Sequence, residues 1–145
     1  MLPGVVSNGM KLLPSAPGAA TPARAVSSVC LLVNPRSFSV ANRRLSARAL
    51  ALAKRHGADV IVADTSAQIA AGLDGALVRG ARRLFVLAGD GTVQAIADCL
   101  ARRPAGIPIP QLLLLAGGRT NLTAADLGGG GAVLKKLESA LIRSA

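Results

Sequence analysis

At 145 residues, with 51% hydrophobic and 1% aromatic content, the chain is long enough for one globular domain with an aliphatic core. It has no Trp or Tyr on which a base would stack, which argues against a base-stacking nucleic-acid module, while a formal net charge of +10 suits an anionic partner. The single His56 and the widely separated Cys30 and Cys99 exclude a His-rich catalytic metal site and argue against structural zinc; both cysteines read as small buried hydrophobes of a reducing compartment.

Residues 1–27 are expected to form a disordered leader, because Pro3, Pro14, Pro17 and Pro22 interrupt them and no continuous apolar core follows a charged start as in a signal peptide. No apolar run approaches the roughly 20 residues that span a bilayer. The expectation is a cytoplasmic protein, or one peripheral to a membrane, with a single domain over 28–145.

From Ser28 the pattern changes. Val29–Val33 is a continuous apolar run closed by Asn34-Pro35, as in a buried parallel strand. Residues 40–56 place Leu45, Ala49, Leu52 and Ala53 at helical spacing, leave Arg43, Arg44, Arg48, Lys54 and Arg55 for solvent, make His56 a C-terminal helix residue and stop at Gly57. The alternation continues with a strand over Asp59–Ala63 and a helix from Thr65 or Ser66 to Gly80. A strand over Arg83–Ala88 follows, then the loop Gly89–Thr92 and a helix carrying Val93, Ile96, Ala97 and Leu100. The strand Gln111–Leu115 leads to Ala116–Asn121, a hinge at Gly128–Gly131, and a last helix with Leu134, Leu137 and Leu141 on one stripe. Strands alternating with helices imply right-handed crossovers and an α/β, three-layer, Rossmann-like parallel sheet with helices on both faces.

In such a sheet the loops after the first, third and fourth strands open onto one edge, where ligands of open α/β sheets bind. Here they contain Asn34, Arg36 and Ser37; Gly89, Asp90, Gly91 and Thr92; and Gly118, Arg119, Thr120 and Asn121. Small residues suit a phosphate cradle, since glycine lets backbone N–H groups approach a polyphosphate and accepts positive φ. Thr92 is placed to cap the following helix or to touch phosphate with its hydroxyl. Arg36 and Arg119 are either phosphate clamps or solvated loop arginines. A carboxylate beside phosphate is unfavourable unless it holds a cation, takes a proton or orients a hydroxyl, so Asp90 points to magnesium or catalysis; taken alone, it fits an ordinary helix cap equally well. No Walker A run, dinucleotide-binding glycine triplet or Gly-x-Ser-x-Gly elbow is present.

The segment Leu84–Thr92, reading Leu-Phe-Val-Leu-Ala-Gly-Asp-Gly-Thr, resembles the Gly-Gly-Asp-Gly-Thr signature of the diacylglycerol kinase catalytic domain, a signature also found in sphingosine kinases, NAD kinases and phosphofructokinases. The order of the remaining motifs narrows the resemblance. Leu32–Ser37 resembles the family's first-strand Asn-Pro motif, and Gly118–Asn121 with Asp126-Leu127-Gly128 resembles its Gly-Thr-x-Asn segment ending in Leu-Gly. The Asn-Glu pair expected of NAD kinases is not visible, which leaves that family a lesser alternative.

The resemblance implies a domain that binds ATP with Mg2+ through Asn34, Gly89–Thr92, Gly118 and Asn121, with Asp90 nearest the chemistry, and passes the γ-phosphate to a lipid hydroxyl such as that of diacylglycerol. It implies a lipid partner at an anionic membrane surface and no nucleic-acid partner. The family continues into a second, lipid-binding β domain that these residues do not contain, so a further domain or a homo-oligomer would complete the site. Ala88, Phe38, Arg119 and Leu122 stand where the family pattern has glycine, glycine, threonine and aspartate. These departures keep a non-catalytic nucleotide-binding or regulatory module as the alternative.

Overall fold

The computed structural model describes residues 27–37, 42–117 and 132–145. Apart from Ser27, the expected leader lies outside them, as do Gly118–Asn121 and the expected hinge at Gly128–Gly131. Four strands, β1 (Val29–Val33), β2 (Asp59–Val62), β3 (Arg83–Ala88) and β4 (Gln111–Ala116), form one parallel sheet in the order β2-β1-β3-β4. The helices are α1 (Asn42–Arg55), α2 (Ser66–Val78), α3 (Asp90–Ala101) and α4 (Val133–Ile142), with a short 3-10 turn at Pro35–Ser37.

Alternation along each strand sorts the core into two layers. Cys30 and Leu32 of β1, with Leu84, Val86 and Ala88 of β3, pack on Ile69, Leu73, Ile96 and Leu100 of α2 and α3. Leu31, Val33, Phe85 and Leu87 point the other way, onto Ala49 and Ala53 of α1 and Leu137 and Leu141 of α4. Burying a Leu, Val or Phe side chain contributes about 1.5–3 kcal/mol, so a largely aliphatic core with Phe85 on one face suffices to hold the sheet. The alanines of α1 let that helix approach the sheet closely.

The helix ends follow the glycines. Gly57 (φ 71) and Gly80 (φ 90) adopt the left-handed conformation just beyond α1 and α2. After them Ala58 N–H donates to Ala53 O at 2.9 Å and Ala81 N–H to Ala76 O at 3.0 Å, the six-to-one bond of a Schellman ending. His56 falls one residue past α1, although its N–H still donates to Leu52 O. At the start of α2, Thr65 accepts from Gln68 N–H at 3.2 Å as an N-cap. Cys30 is fully buried, and desolvation, reinforced by the Asp59 carboxylate, pushes its thiol up to about 12 against a weaker opposing pull from Arg79. Cys99 is only half-buried, at the margin of the core rather than inside it.

Among the described residues no helix is long and apolar enough to cross a membrane.

Candidate functional site

The strand order places β1 beside β3, and β1 is followed by β2 on its other flank, so the chain reverses its direction of travel across the sheet between β1 and β3. At such a switch point the loops leave the carboxyl edge in opposite directions and open a crevice. Asn34 leaves β1 there, and Gly89 leaves β3.

A chain of hydrogen bonds fixes the two. Asn34 N–H donates to Leu87 O at 3.3 Å, continuing the β1–β3 pairing by one residue. The Asn34 Oδ1 then accepts from Arg36 N–H at 2.9 Å, which with the Ser37 N–H to Asn34 O bond curls the chain into the 3-10 turn demanded by Pro35. Its Nδ2 donates to the Thr92 hydroxyl at 2.7 Å. Both residues are buried, at 8% and 6% exposure, so the bond joins the β1 loop to the first turn of α3 in a setting where an unpaired amide would be costly. Gly117 N–H donates to Ala88 O at 3.2 Å, bringing the end of β4 to the same edge. Gly118, Arg119, Thr120 and Asn121 follow directly but lie outside the described residues.

Three expectations change. The Gly-Asp-Gly-Thr segment is not a loop before a helix: α3 begins at Asp90, so Asp90, Gly91 and Thr92 form its first turn. Gly89 is the N-cap, with no side-chain capping bond, and Thr92 is the third helical residue; its hydroxyl serves Asn34 instead of capping. Positive φ is not what glycine supplies here. Gly89 is extended (φ −88), and Gly91 is not among the positive-φ glycines. A Cβ at Gly91 would meet nothing within 4 Å, so internal packing does not explain the glycine either. What remains is a helix amino terminus with open space beside Gly91, where the helix dipole favours an anion.

Arg36 is occupied in this arrangement. Its Nε lies 2.9 Å from Asp64 Oδ2, at the end of the strip that follows β2. Asp64 was not expected at the site, yet it stands after β2 as Asn34 stands after β1, and Asp64 N–H is held by Gln68 Oε1 at 3.0 Å. Its position next to an apolar strand was the available signal. Among the described residues no group of three His, Cys, Asp or Glu side chains is gathered as a metal cage. A single carboxylate, Asp90, in the first turn of α3 fits a magnesium ion carried in on phosphate oxygens, since Mg2+ keeps several waters and needs only one or two protein carboxylates.

The sequence profile of the diacylglycerol kinase catalytic domain matches residues 28–145, which contain this edge and all four strands. The chain belongs to the diacylglycerol kinase catalytic domain family. Two solved structures from Bacillus anthracis str. Sterne share its fold, one described as a diacylglycerol kinase and the other provisionally assigned as one. Each superposes with a TM-score of 0.65 at 18% identity over 81% of this chain. The chain spans 42% and 44% of those two structures, less than half of either. No curated protein matches the sequence. The four-stranded α/β fold of this family is therefore the frame in which the Asn34–Thr92 junction sits.

Proposed function

We propose that this chain supplies the nucleotide-phosphate-binding half of an ATP-dependent lipid kinase, in which the γ-phosphate of ATP passes to a lipid hydroxyl such as that of diacylglycerol. The observation that carries the reading is the Asn34 Nδ2 to Thr92 Oγ1 bond, which ties the turn after β1 to the first turn of α3 at the switch point of the sheet.

Bound Mg·ATP would supply the transferable phosphoryl group and the cation that offsets its developing charge. The chain's own residues would do the positioning. The amino terminus of α3 presents N–H groups and a partial positive charge to phosphate, and Gly91 leaves room for close approach. Asn34 holds Thr92 and the turn that follows it in place. Asp90 would orient the magnesium or the acceptor hydroxyl, and Gly118, Arg119, Thr120 and Asn121, which lie outside the described residues, would add contacts to the nucleotide. In the transfer the acceptor oxygen bonds to the γ-phosphorus, the bond to the β,γ-bridging oxygen breaks, ADP leaves, and the acceptor proton passes to solvent or to Asp90.

Transfer of label from γ-labelled ATP to diacylglycerol in mixed vesicles tests the reading, alongside amide NMR shifts on adding Mg·ATP. Shifts at Asn34 and Gly89–Thr92 with lipid labelling support the kinase. The same shifts without labelling support a nucleotide-binding module, and shifts elsewhere contradict both.

A further inference from the structure

Among the described residues the sheet ends in β2 on one side and β4 on the other, and the two edges differ. β2 is four residues long and carries Asp59, which Arg79 holds. Short strands and charged side chains protect an edge against further pairing. β4 reads Gln-Leu-Leu-Leu-Leu-Ala over Gln111–Ala116, without charge, proline or glycine, and among the described residues it pairs with β3 alone.

The register defines the groups that β4 leaves open. Gln111 N–H donates to Arg82 O at 2.8 Å and Gly117 N–H to Ala88 O at 3.2 Å, so Gln111, Leu113, Leu115 and Gly117 face β3. By alternation Leu112, Leu114 and Ala116 turn their N–H and C=O groups outward. Leu112 is 40% exposed, and Ile107 and Ile109, just before the strand, are 42% and 64% exposed. A groove of about 390 Å³ lies between Leu113 and the end of α4; Arg83 and Arg143 line it, and its described lining contains no carboxylate.

Open backbone groups at strand spacing, exposed apolar side chains and a cationic flank together match an extended peptide that is apolar along its length and acidic at one end. We propose that the outer edge of β4 accepts such a segment of a partner protein as an added strand, with its carboxylates against Arg83 and Arg143. A second copy of this chain is the poorer occupant, because each copy carries a net charge of +10 and brings the same arginines to the edge. This surface lies beyond the nucleotide reading and does not depend on it.

Fluorescence anisotropy of a labelled peptide, Asp-Asp-Glu-Val-Thr-Val-Thr-Val-Thr, titrated with the 145-residue chain tests the edge, and the reversed sequence covers antiparallel addition. One of the two should bind, and the same peptide with Lys in place of its acids should bind about tenfold more weakly. Leu112→Pro removes an outward N–H and leaves the ladder to β3 intact, which an edge strand tolerates. It should weaken binding about tenfold, through the lost hydrogen bond and the obstructing ring, whereas Leu112→Val keeps the donor and should stay within about twofold of the parent. Arg83→Gln with Arg143→Gln should weaken binding roughly fivefold, and less in high salt. If circular dichroism shows Leu112→Pro unfolded, the parent chain decides with peptides N-methylated at alternate residues: one set should abolish binding and the other leave it unchanged, since one edge of the peptide meets β4. No binding by either acidic peptide, equal binding of the lysine peptide, equal effects of the two methylated sets, or a dimer of the chain that Leu112→Pro dissolves would each overturn the proposal.

Discussion

Asn34 Nδ2 donates to the Thr92 hydroxyl at 2.7 Å across 58 residues of sequence, and the two side chains are buried together at the carboxyl edge of the sheet. Replacing Thr92 by Val keeps its shape but strands the Asn34 amide, at a cost of about 1–3 kcal/mol. Thr92→Ser keeps the acceptor and should lose less. Urea unfolding of the two variants checks the order, and equal losses would show that the methyl group, not the hydroxyl, matters at this position.

Gly72 of α2 and Gly91 of α3 should behave oppositely when replaced by alanine. A Cβ at Gly72 would lie 2.6 Å from Ile61 Cγ2, a branch fixed close to the β2 backbone. The overpacking costs about 1–3 kcal/mol and outweighs the gain of up to ~1 kcal/mol from helix propensity, so Gly72→Ala should destabilise. Gly91→Ala meets open space and should leave stability unchanged or slightly raised. If phosphate approaches there, its nucleotide affinity should fall by about tenfold, or ~1.4 kcal/mol. Calorimetric titration with Mg·ATP, paired with thermal melts, reads both effects.

Arg36 is bound to Asp64 on the surface, and such exposed pairs contribute about 0–1 kcal/mol. Breaking the pair should therefore change stability little. If Arg36 turns to phosphate when nucleotide binds, Asp64→Asn removes its competitor and should tighten ATP binding a few-fold, while Arg36→Gln should loosen it. Identical affinities in the two variants and the parent would leave Arg36 as a structural contact only.

The Cys30 thiol is pushed up from 9.0 to about 12 by burial first and by Asp59 second. The folded protein thus holds the Cys30 proton in a window where the unfolded chain releases it, so this contribution to stability is complete below pH 9 and is lost as the pH rises toward 12. Denaturation across that window should be steeper in pH for the parent than for Cys30→Val. In the native state a thiol reagent at neutral pH should modify Cys99 well before Cys30.

Local pattern carried most of the fold. β3 begins and ends where the run Arg83–Ala88 does, and Gly57 and Gly80 mark the helix stops because only a left-handed residue closes those ends. The three-layer arrangement followed from strands alternating with amphipathic helices. Less legible were features set by strand order. That β2 flanks β1 brings Asp64 to Arg36, and no periodicity in either segment encodes the meeting. The start of α3 is not legible either, because Gly-Asp-Gly reads as loop by composition, whereas Gly89 caps the helix without a side chain and the Thr92 hydroxyl reaches Asn34. The motif falls at the carboxyl edge of the sheet, and the order of the strands sets what its described residues touch there.

Asp90 opens α3 at the proposed phosphate site, and its role in holding magnesium is the most direct test of the account. Asp90→Asn keeps the size and removes the charge. Calorimetric titrations of parent and variant with ATP, in the presence and absence of Mg2+, should show Mg·ATP binding weakened about tenfold or more, equivalent to at least ~1.4 kcal/mol. Metal-free ATP should bind the variant as well or better, because a negative charge beside phosphate has been removed. An unchanged magnesium dependence, accompanied only by a lower melting temperature, would contradict the account and reduce Asp90 to a favourable charge in the first turn of a helix.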